Sequence, residues 1–211
     1  MIKFNRVFNH PFFYRHLRGA FFFGLRTQPI LDALELRSGD KVLDVGCGTG
    51  DYSVLFDSPE YTYLGADFSE EYIKKATQDY GNPHRQFQVR DILKMRFKEK
   101  EFTKALFLGV MHHLTDEQNL VVLSEINRIT QARVVIMDLS PGSWNPVSNL
   151  LCKLDRGEYP RPVKAQCDLI GNFLDIVGTS NYYVRSGILR YSLVVCRPRQ
   201  APGLQRSGVS L

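Results

Sequence analysis

The stretch Val42-Leu43-Asp44-Val45-Gly46-Cys47-Gly48-Thr49-Gly50 decides the fold. Its first half is apolar at nearly every position, as a strand covered on both faces is. It runs straight into a loop with glycine at three alternate positions, where dihedrals closed to other residues open and a ligand can approach the backbone. A helix-type pattern over Asp51–Phe56 follows, completing a strand–loop–helix unit of an open α/β sheet. The glycine spacing is GxGxG, whereas a dinucleotide loop reads GxGxxG, and Asp51 stands where the third dinucleotide glycine belongs. An acid at that helix start repels a pyrophosphate, so a nicotinamide dinucleotide is the poorer fit.

Outward from this unit, β-type runs alternate with helix-type patterns. Strands are expected at Lys41–Val45, Tyr61–Asp67, Arg85–Asp91, Lys104–Gly109, Arg133–Leu139, Leu174–Tyr183 and Leu189–Arg197. Helices are expected at Asp51–Phe56, Glu70–Tyr80, Asp116–Ile129 and Pro162–Asn172. That rhythm predicts βαβ units, hence a mostly parallel sheet with helices on both faces. Between Tyr183 and Leu189 there is room only for a short turn around Ser186 and Gly187. A turn that short joins antiparallel neighbours, so the sheet should finish in a hairpin.

The chain has 211 residues, 44% hydrophobic and 23% charged, which fits one domain with a sizeable core and excludes a disordered chain. No run approaches the length of a membrane span, and Arg15, His16 and Arg18 interrupt the place where a signal peptide needs an apolar segment. Cys47, Cys152, Cys167 and Cys196 are scattered without metal-ligand spacing. They argue for a reducing compartment, so a soluble cytoplasmic protein is expected. Five bases and no acid lie in residues 1–31, and three bases and no acid in residues 197–211. The net charge of +5 therefore belongs to the ends. The expected organisation is a single domain over residues 1–198, with a helical lid over 1–30, a substrate-region insert over 140–172 and a flexible tail over 199–211. In the lid, Phe13, Leu17, Phe21 and Gly24 fall on one helical face.

Two carboxylates stand at the ends of the strands that follow the glycine loop. Asp67, nineteen residues after Gly48, is placed to accept hydrogen bonds from the two hydroxyls of a ribose. Asp91-Ile92, after the third strand, is where a side-chain acceptor for an adenine amino group would sit. Loop, ribose acid and adenine acid thus arrive in order at the C-terminal ends of consecutive strands, the edge that lines the crevice of such sheets.

With VLDVGCGTG, GADFS, QVRDI and FLGVMHHL, the chain resembles the class I S-adenosylmethionine-dependent methyltransferases over about residues 35–140. MHHL after the fourth strand is most similar to the branch acting on quinones and other small molecules. The resemblance implies a Rossmann-like, doubly wound, seven-stranded sheet whose C-terminal hairpin supplies one antiparallel strand. It also implies S-adenosylmethionine as cofactor. Asp44, Gly46, Cys47 and Gly48 would then lie along its methionine portion, Asp44 near the ammonium. Asp67 would hold the ribose, Phe68 would cover the adenine, and Asp91 with Ile92 would meet the adenine edge. Leu108 and Gly109 would run beneath the sulfonium.

A methyl group on a positively charged sulfur arrives activated, so the protein mainly positions a nucleophile. A base is needed only when that nucleophile must lose a proton. His112 and His113, just past the fourth strand, are the candidates, imidazole being matched to proton transfer near neutral pH. Tyr14, His16, Trp144, Arg156 and Tyr159 are the candidate substrate-binding residues, drawn from segments expected to cover the crevice. The acceptor expected is a small hydrophobic or aromatic molecule, methylated on oxygen or carbon. No metal and no nucleic-acid partner are expected, for no residue next to Asp138 completes a catechol-type metal site and no basic RNA-binding extension is present. The basic, aromatic N-terminus leaves open a lipid-directed methyltransferase in peripheral contact with anionic membrane. A non-catalytic S-adenosylmethionine-binding partner protein is the other alternative, because binding motifs report binding and not turnover.

Overall fold

Two helices begin where a side chain replaces the acceptor that a first turn lacks. Ser69 accepts from the Tyr72 amide at 3.2 Å to start Glu70–Tyr80, and Thr115 with Gln118 closes a reciprocal capping box before Asp116–Ile129. The computed structural model describes residues 27–141, 158–183 and 190–199. In chain order the elements are α1 (Gln28–Leu34), β1 (Lys41–Val45), β2 (Thr62–Asp67), α2 (Glu70–Tyr80), β3 (Arg85–Val89), β4 (Phe102–Leu108), α3 (Asp116–Ile129), β5 (Thr130–Leu139), α4 (Val163–Ile170), β6 (Leu174–Tyr183) and β7 (Arg190–Pro198). Short 3₁₀ turns stand at Asp51–Phe56, Ile92–Lys94 and Met111–His113.

The seven strands form one sheet in the order β3-β2-β1-β4-β5-β7-β6. β1 to β5 pair in parallel, while β7 runs antiparallel to both β5 and β6. This is the doubly wound sheet with a terminal antiparallel strand that the sequence predicts. The chain winds outward from β1 to β3 and then resumes beside β1 as β4, so the winding reverses between β1 and β4. Ligands of open α/β sheets bind at such a reversal.

Side chains of one parity face each layer. Val42, Leu106, Val135 and Met137 join Ile30, Leu34, Tyr52 and Phe56 in one core, whereas Leu43, Ala105, Val134 and Ile136 meet Val122, Leu123, Ile126 and Ile129 of α3 in the other. Those four α3 side chains are fully buried, and burying each stabilises the fold by about 1.5–3 kcal/mol. Among the described residues, no helix is long and apolar enough to cross a membrane.

The structure moves some expected boundaries. β3 stops at Val89, because Asp91 turns away to cap the Ile92–Lys94 turn. β4 and β5 begin earlier than expected, at Phe102 and Thr130, where an irregularity in their pairing lets both strands extend. Residues 28–30, assigned to the lid, belong to α1, a core helix that buries Ile30 and Leu34; the rest of the lid up to residue 26 lies outside the described residues. Arg199, assigned to the tail, is tied down. Its guanidinium pairs with Asp175 at 2.8 Å and donates to the Asn172 and Gly171 carbonyls, and its amide donates to Asn127.

Candidate active site

The loop after β1 is held from two sides. The Gly46 and Cys47 amides both donate to the Ala66 carbonyl of β2, at 2.7 and 3.1 Å. The Gly48 amide donates to the Asp67 carboxylate at 3.0 Å, and the Ser69 amide to its other oxygen at 2.9 Å. Asp67 therefore stitches the glycine loop to the end of β2. Burial pushes its carboxyl above the ordinary range against the pull of those amides.

Gly46 and Gly48 have φ of 76° and 55°, the left-handed region that favours glycine. Their surroundings differ. A Cβ on Gly46 would stand 2.6 Å from Val110 Cγ2, whereas one on Gly48 would meet nothing within 4 Å. Gly109, φ 68°, faces equally open space from the end of β4. Asp44, Gly46, Cys47, Gly48, Asp51, Tyr52, Leu108 and Gly109 line one cleft between the two strand ends.

Asp44 is buried at the floor of this cleft and accepts the Tyr63 hydroxyl at 2.7 Å. Loss of water pushes its carboxyl up to about 7, the Tyr63 hydrogen bond opposing and the Asp67 charge adding to the rise. Burial likewise pushes the Cys47 thiol far up, so it is a packed side chain and no nucleophile. At the other end of the line, Phe68 is 74% exposed, a ring held out beside Asp67 and not a core residue. Asp91 accepts from the Leu93 amide at 3.0 Å and lies 3.5 Å from Lys94, while Ile92 beside it is buried.

His112 and His113 form the short turn that leaves β4. His112 is buried with its Nδ1 bonded to the buried Asp138 carboxylate at the end of β5, which also accepts from the Leu139 amide. His113 is exposed, its ring centroid 4.1 Å from that of His112. The turn is braced from outside. The Tyr159 amide donates to the His112 carbonyl at 3.0 Å. Arg161 donates to the carbonyls of Met111, Leu114 and Tyr159 and pairs with Asp116. Asn119 adds bonds to the Met111 and Leu114 carbonyls from within α3.

The structure thus gathers Asp44, Gly46, Cys47, Gly48, Leu108 and Gly109 into one cleft; Asp67 is bonded to Gly48 of its lining, whereas Phe68, Asp91 and Ile92 are not among the residues that line it. His112 and His113 stand past β4, beside Tyr159, which is 40% exposed. Tyr14, His16, Trp144 and Arg156 lie outside the described residues. Two residues have roles that strand patterns hide. Asp138 meets His112 across the β4–β5 junction, and the RP dipeptide at Arg161-Pro162 gives no sign that its arginine clamps a turn 50 residues earlier.

A family model described as a methyltransferase domain matches residues 42–133. Demethylmenaquinone methyltransferase of Staphylococcus saprophyticus is 28% identical over 144 residues, 65% of this chain and 54% of that protein. The tRNA (carboxymethyluridine(34)-5-O)-methyltransferase of Arabidopsis thaliana is 31% identical over 97 residues, 46% of this chain and 22% of that protein. The chain spans about half the length, or less, of the curated relatives it matches first. Among solved structures, an S-adenosylmethionine-dependent methyltransferase of Methanosarcina mazei shares the fold with a TM-score of 0.67 at 18% identity, over 82% of this chain and 98% of that one. Motif, strand order and the family match over residues 42–133 agree with one another, and all three point to the class I S-adenosylmethionine-dependent methyltransferases.

Proposed function

We propose that the protein transfers a methyl group from S-adenosylmethionine to oxygen or carbon of a small, largely apolar acceptor. One observation carries the reading. Gly48 and Gly109, at the ends of β1 and β4, both face open space, with a buried carboxylate below and a second carboxylate and an exposed aromatic ring alongside. The residues fit the cofactor. Asp44 would take the ammonium and ionise fully on pairing with it. Asp67 accepts the Gly48 and Ser69 amides on separate oxygens, with the Phe68 amide adding to their pull, and the acceptor capacity left over suits the ribose hydroxyls. Phe68 offers a face for the adenine, with Asp91 and Ile92 at its edge.

When bound, the cofactor supplies a methyl group already activated by the positive sulfur. The protein holds the acceptor in line, keeps water out and takes up any proton released. The Asp138 carboxylate beside Nδ1 can only accept, which favours the tautomer with the proton on Nδ1 and makes Nε2 the basic nitrogen. Nε2 accepts the proton given up by an O–H or an activated C–H, and Asp138 stabilises the imidazolium until that proton passes to solvent. His113 and Tyr159, beside this turn, help to orient the acceptor. The two curated relatives named above are named for demethylmenaquinone and for a tRNA, two unlike acceptors, so neither is carried over to this chain.

The test is methyl-labelled S-adenosylmethionine offered with separate pools of hydroxyquinones, phenols, hydrophobic acids and bulk RNA. Label entering an organic-extractable product supports the reading. Label entering only RNA, or staying on the donor in every pool, contradicts it.

A further inference from the structure

On β5 and β7, side chains of even number share one face of the sheet. Val134 and Ile136 of β5 lie with Val194 and Cys196 of β7 in the core beneath α3 and α4. Next along the same face, Asp138 stands opposite Ser192, whose hydroxyl donates to Gln166 of α4. The ladder continues for one more rung beyond β5, where the Ser140 amide donates to the Arg190 carbonyl at 3.1 Å.

At that rung the polar network is incomplete. Ser140 is fully buried and its hydroxyl has no partner, and the Nε of Arg190 is buried with no partner either. Among the described residues, no carboxylate pairs with Arg190. The closest acid along this face, Asp138, is engaged with His112 and the Leu139 amide. Folded proteins rarely leave such groups unpaired, because each has given up water for nothing in return. Two unmet donors from adjacent strands, one of them cationic, ask for the same complement: an anion.

Their position says what that anion belongs to. They lie at the C-terminal end of β5, the edge on which ligands of open α/β sheets collect, one alternation beyond the Asp138 that holds His112. We propose that Ser140 and Arg190 form an anion subsite that anchors a carboxylate or phosphate carried by the methyl acceptor. Its nucleophilic atom then lies toward His112. This rests on the methyl-transfer reading and narrows it: the acceptor is a hydrophobic or aromatic acid or phosphate ester, and a neutral quinone would leave Arg190 unmatched.

Two measurements on the full chain test this without knowing the acceptor. The first is the thermal midpoint of ligand-free Arg190→Met, which keeps the apolar stem and removes the unpaired charge. A Tm above wild type is expected, and a Tm at or below wild type overturns the proposal, since Arg190 would then be a structural residue. The second is calorimetric titration of inorganic pyrophosphate and of malonate into protein saturated with S-adenosylhomocysteine. Wild type is expected to bind at least one of them saturably, the stronger of the two telling phosphate from carboxylate. Arg190→Met should lose at least tenfold in that affinity and Ser140→Ala a smaller factor, with S-adenosylhomocysteine bound as tightly as by wild type. No saturable heat from either anion in wild type, or undiminished binding by Arg190→Met, overturns the subsite. Failure of S-adenosylhomocysteine itself to bind would strike the methyl-transfer reading instead, so the two failures are distinguishable.

Discussion

The Gly48 amide donates to the Asp67 carboxylate at 3.0 Å, so the residue proposed to hold the ribose also holds the loop that makes room for the cofactor. Asp67→Ala should lower S-adenosylhomocysteine affinity by about 10- to 100-fold, the range expected when hydrogen bonds to a charged group are lost. Asp67→Asn keeps the shape and should fall between. Titration calorimetry with circular dichroism melts separates loss of binding from loss of fold. Unchanged affinity in a folded Asp67→Ala protein would contradict the assignment.

The two glycines of the loop should fail in different ways when given a methyl group. Gly46→Ala forces a side chain against Val110 in a left-handed backbone, and should cost about 2 kcal/mol or more of stability. Gly48→Ala meets open space, so only the backbone strain of about 1–2 kcal/mol should appear in urea unfolding. Its methyl intrudes where the cofactor is proposed to lie, and affinity should drop more than tenfold. Equal effects of the two substitutions on binding would contradict the placement.

Asp44 makes the site sensitive to pH. Its carboxyl is raised from 3.8 to about 7, so between those values the folded protein holds a proton that the unfolded chain has released. This group's contribution to ligand-free stability therefore declines as pH rises through that window. Binding runs the other way, because pairing with an ammonium needs the carboxylate. S-adenosylhomocysteine affinity should be about tenfold weaker at pH 6 than at pH 8. Asp44→Asn should bind weakly with little pH dependence, and Tyr63→Phe, which removes the bond opposing the rise, should shift the midpoint upward. A flat wild-type profile would contradict the role.

For proton transfer, Asp138→Asn is the informative change. It cannot stabilise the His112 imidazolium, and kcat should fall about 100-fold with donor KM little changed, an effect within the usual range for general base catalysis. The low-pH limb of the rate profile should move as well. An unaltered profile would make the pair structural. Arg161→Lys, which cannot span the Met111 and Leu114 carbonyls together, should lower stability by about 2–3 kcal/mol and kcat with it, read by urea unfolding and steady-state rates.

What was legible in the sequence follows from what is local. β1 and its loop were readable because an apolar run and three glycines each state a local requirement. α2 and α3 were readable because a helix-type pattern runs through each, while the Ser69 and Thr115 caps that start them are seen in the structure. α1 was missed as a core helix because seven residues with two buried side chains give too short a period to recognise. The positions of the glycine loop and of Asp67 at the ends of β1 and β2 could be read from order along the chain. The His112–Asp138 pair and the Arg161 clamp could not, since 26 and 50 residues separate the partners and only the sheet brings them together. Asp91 was placed from the same order along the chain, and the structure adds that one of its oxygens accepts the Leu93 amide.

The central claim meets its sharpest test in titration calorimetry of the folded full chain with S-adenosylhomocysteine, alongside NAD. The account predicts saturable one-to-one heat with the former and none with the latter. Silence with S-adenosylhomocysteine, or preference for the dinucleotide, would mean that Gly48, Asp67 and Gly109 frame a site for something else.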